Sequence, residues 1–175
     1  AAFTSVADLC QWLEQLAPLD LSESWDNTGL LLGDPAASVE RLMTCLTLTP
    51  SSVAEAIESR AQMVVAHHPL PFKPISKLTT DSQSGRMLWD LARAGISVYS
   101  PHTAWDSAGR GINARLAELL ELQDCQPIVP QQGMSRPSDR VFETRGSGTR
   151  VSETMVSGTL ASHPSSNQTQ PAATH

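Results

Sequence analysis

Cysteine is scarce and scattered in this chain: three in 175 residues, at Cys10, Cys45 and Cys125. No Cys-x-x-Cys pair occurs, so neither a disulfide framework nor a thiolate-rich structural zinc site is expected. Cys10 falls on an apolar helical face and Cys45 inside an apolar strand pattern, where each reads as a small buried hydrophobe. Basic charge is also short, since 12 Lys and Arg against 18 Asp and Glu leave a net charge of −6. That balance disfavours a general phosphate-backbone binder, whose affinity comes from cationic side chains displacing counterions. Aromatic residues make up 5% of the chain, too few for the stacking platforms of single-strand binders. No apolar run reaches the length that crosses a bilayer, and no Gly-x-x-x-x-Gly-Lys-Ser/Thr phosphate loop is present. The opening Ala1-Ala2-Phe3-Thr4 lacks the basic start and apolar core of a secretory signal. The expectation from these absences is a soluble, cytoplasmic protein with reduced thiols and no membrane partner.

What is present is an alternation of short and longer apolar patterns. Thr4 or Ser5 can cap a helix on which Val6, Leu9, Cys10, Leu13 and Leu16 recur at helical spacing. A polar loop, residues 22–28, precedes a short apolar run at 29–32 and the turn chemistry of Gly33-Asp34-Pro35. Strands are expected at 41–49, 63–66 and 96–100. A helix capped by Ser51 or Ser52 turns Val53, Ala56 and Ile57 inward. A second, begun by Ser82 or Ser84, carries Met87, Leu88, Leu91 and Ala92, and a third at 109–122 turns Ile112, Leu116, Leu119 and Leu120 inward. Strands alternating with helices of this size define an α/β fold, a mostly parallel sheet with helices on its faces. The strands ending at Ala66 and Ser100 are expected to be parallel neighbours. Residues 1–127 form the expected domain. Residues 128–175 are rich in Ser, Thr, Pro and Gly, with one weak strand-like run near 151–160, and read as a partly disordered tail.

The chemistry gathers where the strands end. Met63-Val64-Val65-Ala66 stops on His67-His68-Pro69, and the next strand stops on Pro101-His102-Thr103-Ala104-Trp105-Asp106. In an open parallel sheet, ligand sites lie beyond the carboxyl ends of the strands. Three imidazoles and a carboxylate therefore fall on one edge, a donor set that suits Zn, Mn, Fe, Co or Ni. A lone histidine is more often a satisfied, half-buried residue than a ligand. Two such segments at equivalent strand ends make metal binding the sharper reading. His102 has a second role open to it, orienting Asp106 or a water without touching the ion.

The motifs Ala66-His67-His68-Pro69-Leu70-Pro71-Phe72 and Pro101 to Asp106 follow Trp25-Asp26-Asn27-Thr28-Gly29 and the strand at 41–49. Together they resemble the Nif-three-like dinuclear-metal-centre family, the GTP cyclohydrolase I type 2 homologues, over residues 3–125. The resemblance implies a Nif-three-like fold and a toroidal homo-oligomer, a hexamer, with metal sites facing an internal cavity. It implies two divalent ions per chain, His67 and His68 each binding one and Asp106 binding one of them. It places Trp25, Asp26 and Asn27 near the site and leaves His102 as the catalytic candidate, orienting a group or shuttling a proton. The family label further implies a metal-dependent hydrolase that opens the imidazole ring of a purine nucleotide, GTP, with release of formate. Phosphate contacts would fall to scattered cations such as Lys73, Lys77, Arg86 or Arg110, each more readily read as a solvated surface charge. The alternative is a non-catalytic metal-binding interaction or scaffold protein for a protein or nucleic-acid partner.

One part of the family pattern is missing. The family closes its site with Gly-His-x-x-x-Glu from a second half of the chain, whose glutamate bridges both ions. Here His163 is followed by Pro164, and four residues on stands Asn167. Two divalent ions a few ångströms apart repel, and a bridging carboxylate offsets that repulsion. With His67, His68 and Asp106 alone, one ion or none is expected. A truncated, frame-shifted or alternatively spliced product, or a shortened and inactive relative, would each account for the missing half.

Overall fold

A computed structural model of the chain describes residues 4–128. The expected tail, apart from Ile128, lies outside the described residues, as does the strand-like run within it. Twelve short elements alternate along the described chain. Strand β1 (Thr4–Ser5) leads into helix α1 (Val6–Leu16) and a 3-10 turn (Leu19–Leu21). Strands β2 (Gly29–Leu32), β3 (Ser38–Val39) and β4 (Leu42–Cys45) follow. Then come α2 (Pro50–Glu58), β5 (Met63–Ala66), α3 (Gln83–Arg93), β6 (Ser97–Ser100), α4 (His102–Ser107) and α5 (Ile112–Leu119).

Four strands make the central sheet in the order β2-β6-β5-β4. β4 and β5 run parallel with Cys45 opposite Ala66, and β5 and β6 run parallel with Val65 opposite Tyr99. The strands ending at Ala66 and Ser100 are thus parallel neighbours, as the helix between them requires. β2 closes the other side antiparallel to β6, with a register shift between Leu30 and Leu32. One sheet face, through Val64, Ala66 and Val98, packs on Val53 and Ala56 of α2 and on Met87 and Leu91 of α3. The opposite face, through Met63 and Tyr99, packs on Val6 and Cys10 of α1 and on Val39. Alternate strand residues feed the two cores because successive side chains of a strand point to opposite faces.

Helix starts follow the polar signals closely. Ser5 caps α1, and its hydroxyl accepts from the Asp8 amide while the Asp8 carboxylate accepts from the Ser5 amide. At α2 the cap is Thr49, earlier in the chain than Ser51 or Ser52. Pro50 sits at the first helical position, where its missing N–H costs nothing. The Thr49 hydroxyl accepts from the Ser52 amide at 3.2 Å, and the Ser52 hydroxyl accepts from the Thr49 amide at 2.8 Å. Thr49→Ala is expected to cost about 1 kcal/mol. The check is the urea midpoint of the full chain, and an unmoved midpoint would show that α2 does not depend on this cap.

Two expected elements differ from the structure, and one was not foreseen. The strand expected at 41–49 ends at Cys45, because Leu46 to Thr49 turn away to start α2. The sequence did not mark α4, a short helix over His102–Ser107. The helix expected at 109–122 is reduced to Ile112–Leu119 and buries no residue: Leu116, Leu119 and Leu120 are exposed. Helical spacing places apolar residues on one side, but only a packed neighbour makes that side an inside.

Candidate metal centre

The carboxyl ends of β4, β5 and β6 lie along one edge, and the motif histidines are built onto it. Backbone pairing with β4 continues past Ala66. The His67 amide donates to Cys45 O at 3.1 Å, and the His68 amide donates to Leu46 O at 2.9 Å. The buried Ser100 hydroxyl, at the end of β6, donates to the His67 carbonyl at 2.7 Å. The two-histidine segment is therefore fixed by both neighbouring strands as it leaves the sheet. Pro69 then keeps His68 extended.

The side chains converge. Ring centroids of His67 and His68 are 5.0 Å apart, those of His67 and His102 are 5.2 Å apart, and those of His68 and His102 are 5.7 Å apart. One nitrogen from each of the three rings lies within 4.8 Å of the others. Asp106 stands at the side of this triad, with Oδ1 3.6 Å from His67 Nε2. α4 accounts for the geometry: His102 and Asp106 are four residues apart on a helix, so they share a face.

Asp26 does more than neighbour the site. Its side chain has no exposed surface, and its Oδ1 accepts from His102 Nδ1 at 2.8 Å. The same oxygen accepts from the Asn27 amide at 2.7 Å. Oδ2 accepts from the Thr103 amide at 3.1 Å and from the Thr103 hydroxyl. The carboxylate that engages His102 is thus Asp26, while Asp106 faces His67. Asn27 donates from Nδ2 to Pro71 O at 2.6 Å, tying its loop to the chain just past the two histidines. Trp25 is exposed but edge-on to Phe72 and His102, at centroid distances of 6.1 and 6.5 Å. His102 also adopts φ +30°, a region non-glycine residues mostly avoid. Its ring contact with Asp26 and the Thr103 amide bond hold it there.

The electrostatics favour a neutral His67 ring and a charged Asp26 carboxylate. Burial lowers the His67 pKa below the usual histidine value. Asp106 opposes that shift, and the neighbouring rings of His68 and His102 add to it. For Asp26 burial alone would raise the carboxyl pKa, but the hydrogen bonds from the Thr103 hydroxyl, His102 and the Asn27 and Thr103 amides outweigh it and lower it. Neutral imidazole is the form that ligates a cation.

The residues fit a divalent ion. His67 Nδ1 is buried with no hydrogen-bond partner among the described residues, and an unsatisfied ring nitrogen inside a histidine cluster is poorly explained by packing. Two nitrogens on one tetrahedral zinc are about 3.4 Å apart. A separation of at most 4.8 Å closes to that by small side-chain rotations. Thr47 was not singled out by the sequence, yet its hydroxyl lies 2.6 Å from His68 Nδ1. Phe72 and Thr103 were likewise passed over as site residues. Only their places inside the two histidine motifs could have marked them.

A mostly parallel α/β sheet whose carboxyl edge gathers three imidazoles and a carboxylate defines a class of protein, one built to present a candidate metal site at strand ends. The comparisons carry this further. The family model described as Duf34/NIF3 (NGG1p interacting factor 3) matches residues 4–170, and the chain belongs to that family. It is 43% identical over 115 residues to a GTP cyclohydrolase 1 type 2 homolog of Clostridium acetobutylicum, covering 66% of this chain and 43% of the relative. It is 31% identical over 154 residues to NIF3-like protein 1 of Drosophila melanogaster, covering 86% of this chain and 52% of the relative. A Bacillus cereus protein related to NIF3 superposes with a TM-score of 0.70 at 30% identity, over 75% of this chain and 36% of that one. The chain spans about half, or less, of the length of these relatives. No helix among the described residues is long and apolar enough to cross a membrane.

Proposed function

We propose that this chain binds a divalent metal ion at the carboxyl edge of its sheet and acts, with the metal, as a hydrolase of a purine nucleotide. The observation that carries the reading is the convergence of His67, His68 and His102 within 4.8 Å, with Asp106 beside His67. His67, His68 and Asp106 are proposed ligands, as the motifs imply. His102, hydrogen-bonded to Asp26 beside the proposed ligands, is proposed as the catalytic residue that orients a group or shuttles a proton. A divalent ion bound there supplies an acidified water as nucleophile near neutral pH. Trp25 and Phe72 lie edge-on to the His102 ring. The purine nucleotide is taken from the printed name of the Clostridium relatives, which points to GTP.

A second reading has its own support. The family description names an interacting factor. Residues 1–127 would then act as a non-catalytic metal-binding interaction module. Assembly with further copies, as the resemblance implies, is supported by exposed apolar side chains such as Leu46, Leu116 and Leu119.

The test uses the full chain, stripped with a chelator, reloaded with Zn, Mn, Fe, Co or Ni in turn, and analysed for bound metal. About one ion per chain is expected, together with metal-dependent release of formate from GTP. Bound metal without turnover of GTP supports the second reading. No bound metal with any of the five ions overturns both.

A further inference from the structure

We propose that Thr47 is a positioning residue: its hydroxyl accepts a hydrogen bond from His68 Nδ1 and so leaves Nε2 of that ring as the nitrogen for the ion. The proposal rests on the metal-binding reading above.

Thr47 lies in the turn between β4, which ends at Cys45, and Thr49, which caps α2. That turn grips His68 twice. The His68 amide donates to Leu46 O at 2.9 Å, and His68 Nδ1 lies 2.6 Å from Thr47 Oγ1. Consecutive residues of one turn thus hold the backbone and the ring of the same histidine. The turn is itself anchored. Leu48 is buried in the core that α2 and α3 share with the sheet. The Ser52 hydroxyl donates to Thr47 O at 3.4 Å, and Ser52 also completes the reciprocal cap with Thr49. The start of α2 therefore sets the direction in which the His68 ring points.

A hydroxyl can donate or accept, so the contact has two forms. If Thr47 donates to Nδ1, the single hydrogen of the neutral ring sits on Nε2, and that nitrogen cannot take an ion. If His68 Nδ1 donates to Thr47, Nε2 keeps its lone pair. The hydroxyl occupies Nδ1 in both forms, which leaves Nε2 as the nitrogen open to an ion. Ion binding then selects the form in which Thr47 accepts. The hydrogen of the hydroxyl turns to solvent, because Thr47 is exposed and its hydroxyl has no other protein partner among the described residues. A partner on the far nitrogen is the arrangement that orients metal-binding histidines. His67, the other motif ring, has none: its Nδ1 is unpartnered among the described residues. Water can replace part of an exposed contact, which places the effect of Thr47 at the low end for such partners.

The test has two readouts on the full chain. Thr47→Val keeps the branched shape and removes the hydroxyl, and it is expected to weaken zinc binding about 10-fold in a chelator competition. Thr47→Ser keeps the hydroxyl and is expected to restore the affinity of the unaltered chain. Long-range nitrogen–proton correlation spectra of the zinc-loaded unaltered chain, with the ring assigned to His68 through its couplings to the backbone, are expected to show the hydrogen on Nδ1. A hydrogen on Nε2, with zinc on Nδ1, overturns the proposal without recourse to any variant. So does unchanged zinc affinity in a Thr47→Val chain whose urea midpoint shows it folded. A Thr47→Ser chain as weak as Thr47→Val overturns it too, since the hydroxyl would then not be the group that matters. Zinc bound normally by Thr47→Val leaves the metal-binding reading standing and removes only the positioning. No zinc on the unaltered chain removes both.

Discussion

His67→Ala is expected to lower divalent-ion affinity more than about a hundredfold, because loss of a ligand exceeds the 10- to 100-fold cost of losing a residue that only orients one. The chain should remain folded. The His67 backbone keeps its bonds to Cys45 and Ser100, and the side chain gives up no hydrogen bond, since Nδ1 has no partner among the described residues. The contact with Asp106 is long, at 3.6 Å, and reaches a carboxylate about a third exposed, so little stability goes with it. Removing this ring, whose pKa is depressed by its surroundings, also removes a group whose protonation opposes folding. Its neutral form is favoured in the folded chain, so unfolding takes up a proton as pH falls through the ordinary histidine value near 6.5. The variant should therefore lose less stability on mild acidification than the unaltered chain. Equilibrium dialysis with elemental analysis measures the first effect, and urea unfolding at two pH values measures the second. Full metal loading of His67→Ala would remove the triad from consideration as the site.

The opposite pattern is expected of Leu91→Ala. Leu91 is fully buried on the inward face of α3, in the core that includes Val64, Ala66 and Val98. Truncating it removes transfer energy and leaves a cavity, costing about 2–5 kcal/mol. That is a large part of the roughly 5–15 kcal/mol that holds a domain folded. Val64 and Ala66 belong to the strand that delivers the two motif histidines, but Leu91 packs within the apolar core and is no part of the histidine cluster. Ion affinity measured on the folded fraction should change little, while the urea midpoint falls sharply. A stability within about 0.5 kcal/mol of the unaltered chain, the range of surface substitutions, would mean that α3 is not packed on the sheet as described. Together the two variants separate the site from the scaffold that carries it.

Much of the scaffold was legible because its elements are short and punctuated. β5 coincides with the expected 63–66 run, and Ser5 and Ser82 cap their helices as expected. Both are local signals: an apolar run that stops at His-His-Pro, and a serine before a helical period. The antiparallel placement of β2 beside β6 was not legible, because pairing depends on which strand edge remains open after the parallel units close. The apolar face of α5 misled for the same reason. Leu116, Leu119 and Leu120 repeat as a buried face would, and they are exposed. Within the candidate site, His67, His68, His102, Asp106, Trp25, Asp26 and Asn27 were all named by motif. The partner of each was not. Asp26 lies 76 residues from His102 and Thr47 lies 21 residues from His68, distances along the chain that no local pattern encodes.

By itself, then, the sequence determined the composition of the edge: that strands stop at Ala66 and Ser100, and that imidazole and carboxylate stand just beyond those stops. Periodicity and turn chemistry act over a few residues, and a few residues suffice for that much. Only the tertiary structure decided which carboxylate holds which ring. Hydrogen bonds such as those of Asp26 form between segments brought together by the parallel pairing of β5 with β6 and by the seating of the 22–28 loop on α4. Their geometry is a property of the assembled sheet rather than of either segment.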